Sequence, residues 1–226
     1  MKATFLKYGA ASVALLISAA GSTTVLAQDP SAAQSSPAAS TPTPAPAPEK
    51  KDPSIAQRKE NQQDRIGNGV KSGQLTAGET ANLESKEAAI NKETRTERAA
   101  NGGKLTGAEK AQVNRQQNQV SKQIYADKHN ANTAHYGNNA VGQRRENQQD
   151  RIAQGVKSGQ LTAGETAKLE KQQQGINKQV AADRKANGGR LNASEKKQVN
   201  KEQNQASRTI YNKKHNAATQ PKAKKP

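Results

Sequence analysis

Proton transfer and metal binding both need paired side chains on one face, and the sequence offers two kinds of pair. Glu60 with Asp64, and Glu146 with Asp150, stand four residues apart, a spacing that puts both carboxylates on one side of a helix. Such a pair does general acid–base work only when burial or a like charge displaces one pKa. Arg58 and Arg65, or Arg144 and Arg151, surround these carboxylates, so ion pairing on a solvated face is the expected role. Tyr125 with His129, and Tyr211 with His215, share the same spacing. A metal site there would need further ligands, yet Asp127 beside the first pair becomes Lys213 beside the second. The expectation is that the tyrosines pack while His and Lys answer the negative pole of a helix C-terminus. His135 has no counterpart in the other half. The chain has no cysteine, no Gly-rich phosphate loop after a strand and no serine with His and Asp partners. It is therefore expected not to be an enzyme, and no catalytic, cofactor-binding or metal residue is assigned.

What positions these residues is a repeated block. SGQLTAGET occurs at 72–80 and again at 158–166, and sliding the sequence by 86 residues superimposes 57–133 on 143–219 with roughly fifty of about 77 positions identical. The block starts a helix. The Thr76 hydroxyl can accept from the Glu79 amide while the Glu79 carboxylate reaches back to the Thr76 amide, a capping box. Gly73 suits the exit of the preceding helix, because glycine takes a left-handed conformation cheaply. The same grammar returns at Leu105-Thr106-Gly107-Ala108-Glu109 and Leu191-Asn192-Ala193-Ser194-Glu195, so each half holds two helix-turn-helix steps.

In Gly73 to Glu79 and Gly159 to Glu165, a glycine is followed two residues on by an aliphatic and six residues on by a glutamate. This resembles the C-terminal half of EF-hand loops. The resemblance implies a calcium-responsive protein with Glu79 and Glu165 as metal ligands, and is kept as an alternative. The earlier loop positions, which calcium needs as oxygen donors, hold Asn68, Val70 and Ser72, or Gln154, Val156 and Ser158.

The chain begins with Lys2 and Lys7 ahead of an apolar run from Ala10 to Ala20, closed by Val25-Leu26-Ala27. That pattern predicts a signal peptide over 1–27 with export to the periplasm or exterior. The run is shorter than the ~20 residues of a membrane span, so no transmembrane segment is expected in the mature chain. Residues 28–53, with Pro42, Pro44, Pro46 and Pro48 among small residues, read as a disordered Pro/Ala/Ser-rich linker. Residues 220–226 read as a basic disordered tail.

Between them, helices are expected at about 54–70, 77–100 and 107–130 (repeat 1, 54–132), and at 142–156, 163–186 and 193–216 (repeat 2, 142–219), with a joint at 133–141. Apolar residues fall at helical spacing but thinly, and Glu87, Gln117, Gln173 and Gln203 stand where the stripes should continue. The expected fold class is all-α: a tandem duplication of a three-helix repeat, built as elongated helical hairpins with Gln and Ala in the seam.

Formal charge is +17 with a sequence pI near 10.1. Such a surplus attracts polyanions. Candidate contacts are Lys71, Lys104, Arg115, Lys122, Lys157, Arg190, Lys197 and Lys201. The 2% of aromatic residues argues against stacking on bases. The chain also resembles uncharacterised exported Gln/Asn-rich helical repeat proteins of bacteria, a likeness that implies export and helices and no activity. The expected function is a non-catalytic binding or structural module of the cell envelope, with non-specific affinity for anionic envelope polymer, lipid head groups or extracellular nucleic acid. Self-association, or a chaperone-like or accessory role holding a protein partner on the apolar stripes, is the other alternative.

Overall fold

Every helix starts at a side chain that closes its first turn. The computed structural model describes residues 54–220, and these are six α-helices with no strand among them. They are α1 (Ile55–Lys71), α2 (Ala77–Ala100), α3 (Gly107–Lys128), α4 (Ala140–Ser158), α5 (Ala163–Ala186) and α6 (Ala193–Lys214). The expected signal peptide (1–27), the expected linker (28–53) and all of the expected tail beyond Gln220 lie outside the described residues.

Thr76 accepts from the Glu79 amide at 3.3 Å while Glu79 accepts from the Thr76 amide at 2.9 Å, so the capping box at α2 is complete. Ser54 with Gln57, Thr106 with Glu109, Thr162 with Glu165 and Asn192 with Glu195 close the same box on α1, α3, α5 and α6. α4 is capped by Asn139 and begins at Ala140, two residues before the expected start, which shortens the joint accordingly. α3 and α6 end at Lys128 and Lys214, two residues early, because the His129 and His215 rings bond back to backbone carbonyls. Replacing Thr76 by Ala should cost about 1 kcal/mol, read as a shift in a urea unfolding curve.

The turn before each capped helix is tight. Gly159 takes φ of 75° and its carbonyl accepts from the Gln220 amide at 2.8 Å. Gly73 takes φ of 71° and accepts from the Ala134 amide at the same distance. The first residue of the expected tail is thus anchored. Leu75 and Leu161, just outside the caps, are buried and seat on Gly69 and Gly155, where a Cβ would come within 2.7 Å of the leucine.

The helices pack across the two halves as well as within each. Within one packed unit α2 lies along α5 and α1 along α4, while α3 covers α1 and α2, and α6 covers α4 and α5. Gly78 near the start of α2 faces Gln174 of α5, and Gly164 near the start of α5 faces Ala88 of α2. Apolar clusters centred on Ile66, Leu83, Val113 and Ile124, on Val141, Ile176 and Val199, and on Ile152, Leu169 and Ile210 fill the interior.

The polar residues that interrupt the stripes are the reason the thin core closes. Gln62 donates to the Gln117 carbonyl at 2.6 Å, and Gln117 donates to the Ile55 carbonyl at 2.9 Å. Gln148 and Gln203 make the corresponding bonds to the Gln203 and Val141 carbonyls at 2.7 and 2.9 Å. All four side chains are buried. Each amide nitrogen is paired, which makes its burial tolerable, while Oε1 of Gln62, Gln117 and Gln203 has no partner, so glutamine serves here as half-satisfied core material.

Candidate anionic-polymer interface

Where the acidic residues sit decides what the surface looks like. Glu79, Glu109, Glu165 and Glu195 are engaged in capping boxes. Glu84, Glu87 and Glu170 are buried between the helices, and Asp127 is buried at the end of α3, accepting from Gln123 at 2.7 Å. These eight carboxylates are turned to structural use, which tilts the surface toward lysine and arginine, with Asp64, Glu146 and Asp150 among the acids still exposed.

On α6 the positions Lys197, Lys201, Asn204, Arg208, Tyr211 and His215 follow one another at alternating spacings of four and three, and all six are exposed. That spacing keeps them on one face. The stripe runs about 27 Å at 1.5 Å per residue. Its first part lines an open groove of about 490 Å³ with Ala193, Lys196 and Asn200. α3 carries Arg115, Asn118, Lys122, Tyr125 and His129 at the same spacing, also exposed, with Ala111 where α6 has Lys197.

Arginines from the neighbouring helices complete each stripe. Arg144 donates to Asn204 Oδ1 at 3.2 Å and Arg58 to Asn118 Oδ1 at 3.3 Å. Arg65 donates to Ser121 Oγ at 2.7 Å and to the Ser121 carbonyl at 3.0 Å, and Arg151 to the Ser207 carbonyl at 2.8 Å. These four, expected in ion pairs on the solvated face, bridge α1 to α3 and α4 to α6, where the arginine fork reaches a carbonyl, hydroxyl or amide oxygen across the seam.

The candidates from the sequence fall into three places. Arg115, Lys122, Lys197 and Lys201 lie on the stripes. Lys71 and Lys157 come together beside Arg151 and Asp150 in a groove of about 530 Å³ where α1 meets α4. Lys104 and Arg190 are exposed in the turns after α2 and α5, apart from both.

Glu79 and Glu165 are occupied. Glu79 Oε2 accepts from the Thr76 amide and hydroxyl, and Oε1 from Asn130 and Asn132 at 2.8 and 3.2 Å. Burial pushes its pKa up, but the hydrogen bonds outweigh burial and hold it below the usual carboxylate value. Glu165 accepts from Thr162 and Asn216 and pairs with Lys213 at 3.6 Å. A calcium ion at either carboxylate would have to displace these donors. Among the described residues no group of three or more His, Cys, Asp or Glu could hold a metal ion.

The tyrosines were expected to pack at the helix ends. Tyr125 and Tyr211 are instead 62% and 58% exposed, each stacked on the histidine four residues on with ring centroids 4.1 Å apart. Tyr136, in the joint, is the half-buried one and lies 5.4 Å beneath the Arg145 guanidinium.

Of the buried carboxylates, Glu87 was expected on its stripe, whereas Glu84 and Glu170 are what residue-by-residue reading missed. Glu84 accepts from Gln63 at 3.0 Å and Glu170 from Gln149 at 2.9 Å, which leaves Oε1 of each without a partner. Burial raises the Glu84 carboxyl well above its ordinary value, with Glu87 and Glu170 adding to it and Gln63 and Lys59 opposing. Burial takes Glu170 to about 8 and Glu87 to about 7. The signal for them was the Gln-Gln doublet at 62–63 and 148–149, which sits on the buried face of its helix and meets a glutamate 21 residues on.

No described helix is long and apolar enough to cross a membrane. Comparison of the chain with protein-family models, with curated proteins and with solved structures finds no match.

Proposed function

We propose that this chain is an exported, non-catalytic binding module of the cell envelope or exterior that holds anionic polymers on the outer stripes of α3 and α6. In this reading 1–27 is the export signal, 28–53 a tether, and the six helices are two copies of a three-helix unit, each copy presenting one stripe. The observation that carries it is the exposed run Lys197, Lys201, Arg208 on α6 with its counterpart Arg115, Lys122 on α3. Two stripes on one chain raise the effective concentration of the second contact once the first is made.

A protein partner held on the apolar stripes is less well supported. Leu83, Ile90, Val113 and Val120 are buried, so such a partner would require the helices to part.

The test is a titration of the mature chain with duplex DNA and with a polyuronic acid at two salt concentrations. Affinity should fall steeply with salt. Changing Arg115, Lys122, Lys201 and Arg208 together to Gln should reduce the slope of log K against log salt for duplex DNA by about 3.6, at roughly 0.9 for each phosphate no longer neutralised. Changing Lys104 and Arg190 should leave it nearly unaltered. Binding that ignores salt, or no binding at low salt, would remove the reading.

A further inference from the structure

We propose that the Tyr211–His215 and Tyr125–His129 pairs are base-stacking platforms, and that the polymer these stripes take is single-stranded nucleic acid. The proposal rests on the reading of the stripes as anion-binding and adds a ligand class to it.

The rings are placed for contact with something outside the chain. Tyr125 and Tyr211 are the exposed large hydrophobic side chains among the described residues, in a sequence only 2% aromatic with a thin core. Neither ring is loose. His129 Nδ1 lies 2.7 Å from the Tyr125 carbonyl, and His215 Nδ1 the same distance from the Tyr211 carbonyl. A carbonyl can only accept, so Nδ1 carries a proton and the imidazole is pinned over one face of the tyrosine. Each tyrosine nevertheless stays more than half exposed. Stacking on a preset ring loses less side-chain freedom than stacking on a mobile one.

The neighbours of each ring are cations. Lys122 and Lys128 stand three residues before and after Tyr125, and Arg208 and Lys214 stand likewise around Tyr211. An aromatic ledge in line with a cationic track is what a single strand needs, its bases stacking while its phosphates are neutralised. A duplex could use the cations alone, since its base faces are already covered.

The hydrogen-bonding character of the stripes separates a nucleotide strand from a sugar polymer. Asn118 Oδ1 and Asn204 Oδ1 accept from Arg58 and Arg144, so each asparagine has its amide nitrogen, a donor, to offer. The carboxylates of α6 are used elsewhere, Glu195 accepting from the Asn192 amide in its cap and from Asn187, and Glu202 accepting from Gln198 at 2.6 Å. Lys, Arg and the asparagine amides give a surface dominated by donors, which matches phosphates; sugar hydroxyls require acceptors as well.

The two platforms should differ. α6 has Lys197 where α3 has Ala111, and Lys213 where α3 has Asp127, so the Tyr211 platform has the stronger field.

The experiment uses the whole mature chain and three probes at low salt: a single strand of about 12 nucleotides, the duplex of that strand, and a polyuronic acid. The chain has no tryptophan, so tyrosine emission reports stacking directly. The single strand should bind more tightly than the duplex and quench that emission. Tyr211→Ala should weaken single-strand binding about tenfold and Tyr125→Ala less, with duplex binding unchanged, while Tyr211→Phe should keep most of the affinity. Equal affinity for strand and duplex with no effect of Tyr211→Ala would overturn the platforms and leave the cationic stripes standing. Tyrosine-dependent preference for the polyuronic acid would overturn the choice of ligand. Failure to bind any of the three would overturn both readings.

Discussion

Raising the pH from about 5 to about 9 is expected to lower the melting temperature by roughly 10 °C, at 2–4 °C per kcal/mol for a chain of this size. The cause is the carboxylates between the halves. Glu84 on α2 faces Gln63 and Lys59 of α1, Glu87 of its own helix and Glu170 of α5; Glu170 faces Gln149 of α4, Glu84, and Tyr136 of the joint. Burial holds Glu170 protonated to about 8 and Glu87 to about 7, against an ordinary 4.5. A fold that raises an acid's pKa binds a proton that the unfolded chain has released. Its contribution is complete below about 4.5 and is lost as pH rises through the folded-state value. One pKa unit is about 1.4 kcal/mol, so Glu170 alone carries on the order of 3–5 kcal/mol across that window. Against a total stability of about 5–15 kcal/mol that is a large share.

The capping carboxylates act in the opposite direction. Glu79, Glu109 and Glu165 have lowered values, so their contributions are present above the unfolded pKa and fade on acidification below it. Stability should therefore peak near pH 5. Glu170→Gln removes the ionisation while keeping the shape, and should be more stable than the parent at pH 9 and flatter in its pH dependence. A parent chain whose urea midpoint is the same at pH 5 and pH 9 would show that Glu84 and Glu170 are ionised in the fold at no cost.

The helices were legible because their starts are local chemistry. Thr76 with Glu79 and Asn192 with Glu195 announce a first turn whatever the chain does afterwards, and α2 and α5 begin and end at the expected residues. The packing was legible only in part: Gln117 and Gln203 were expected in the seam, whereas Gln62 and Gln148 were not, and the rule that polar residues face water fails at both. Each of these is buried on a backbone carbonyl that only the tertiary fold brings near. The candidate interface was legible in its charges and hidden in its arrangement. Arg115, Lys122, Lys197 and Lys201 were visible as cations, but that they share a face with Tyr125 and Tyr211 follows from which side of α3 and α6 the core covers.

Residues 54–139 produced alone are expected to be unfolded at low concentration and to regain helix only as a dimer. α2 packs along α5, its counterpart 86 residues on, and α1 along α4, its own counterpart. Cutting the chain at the joint bares the side of α2 where Gly78 and Ala88 meet Gln174 and Gly164 of α5, and the face of α1 that meets Ala153 of α4. Exposed apolar area costs about 25 cal/mol per Å², and a half-length unit has a poorer ratio of core to surface to begin with. A second copy of the fragment offers nearly the same surface that α4 and α5 supplied, since Leu83, Glu84 and Gln63 recur as Leu169, Glu170 and Gln149. Association should therefore restore the fold, with helix content by circular dichroism rising with concentration and mass by sedimentation doubling in step. The fragment dimer should also weaken as pH rises, because it would set two Glu84 carboxyls in the place of Glu84 and Glu170. A fragment that is fully helical and monomeric at every concentration would mean that three helices suffice, and that the packing of α2 on α5 adds little to stability.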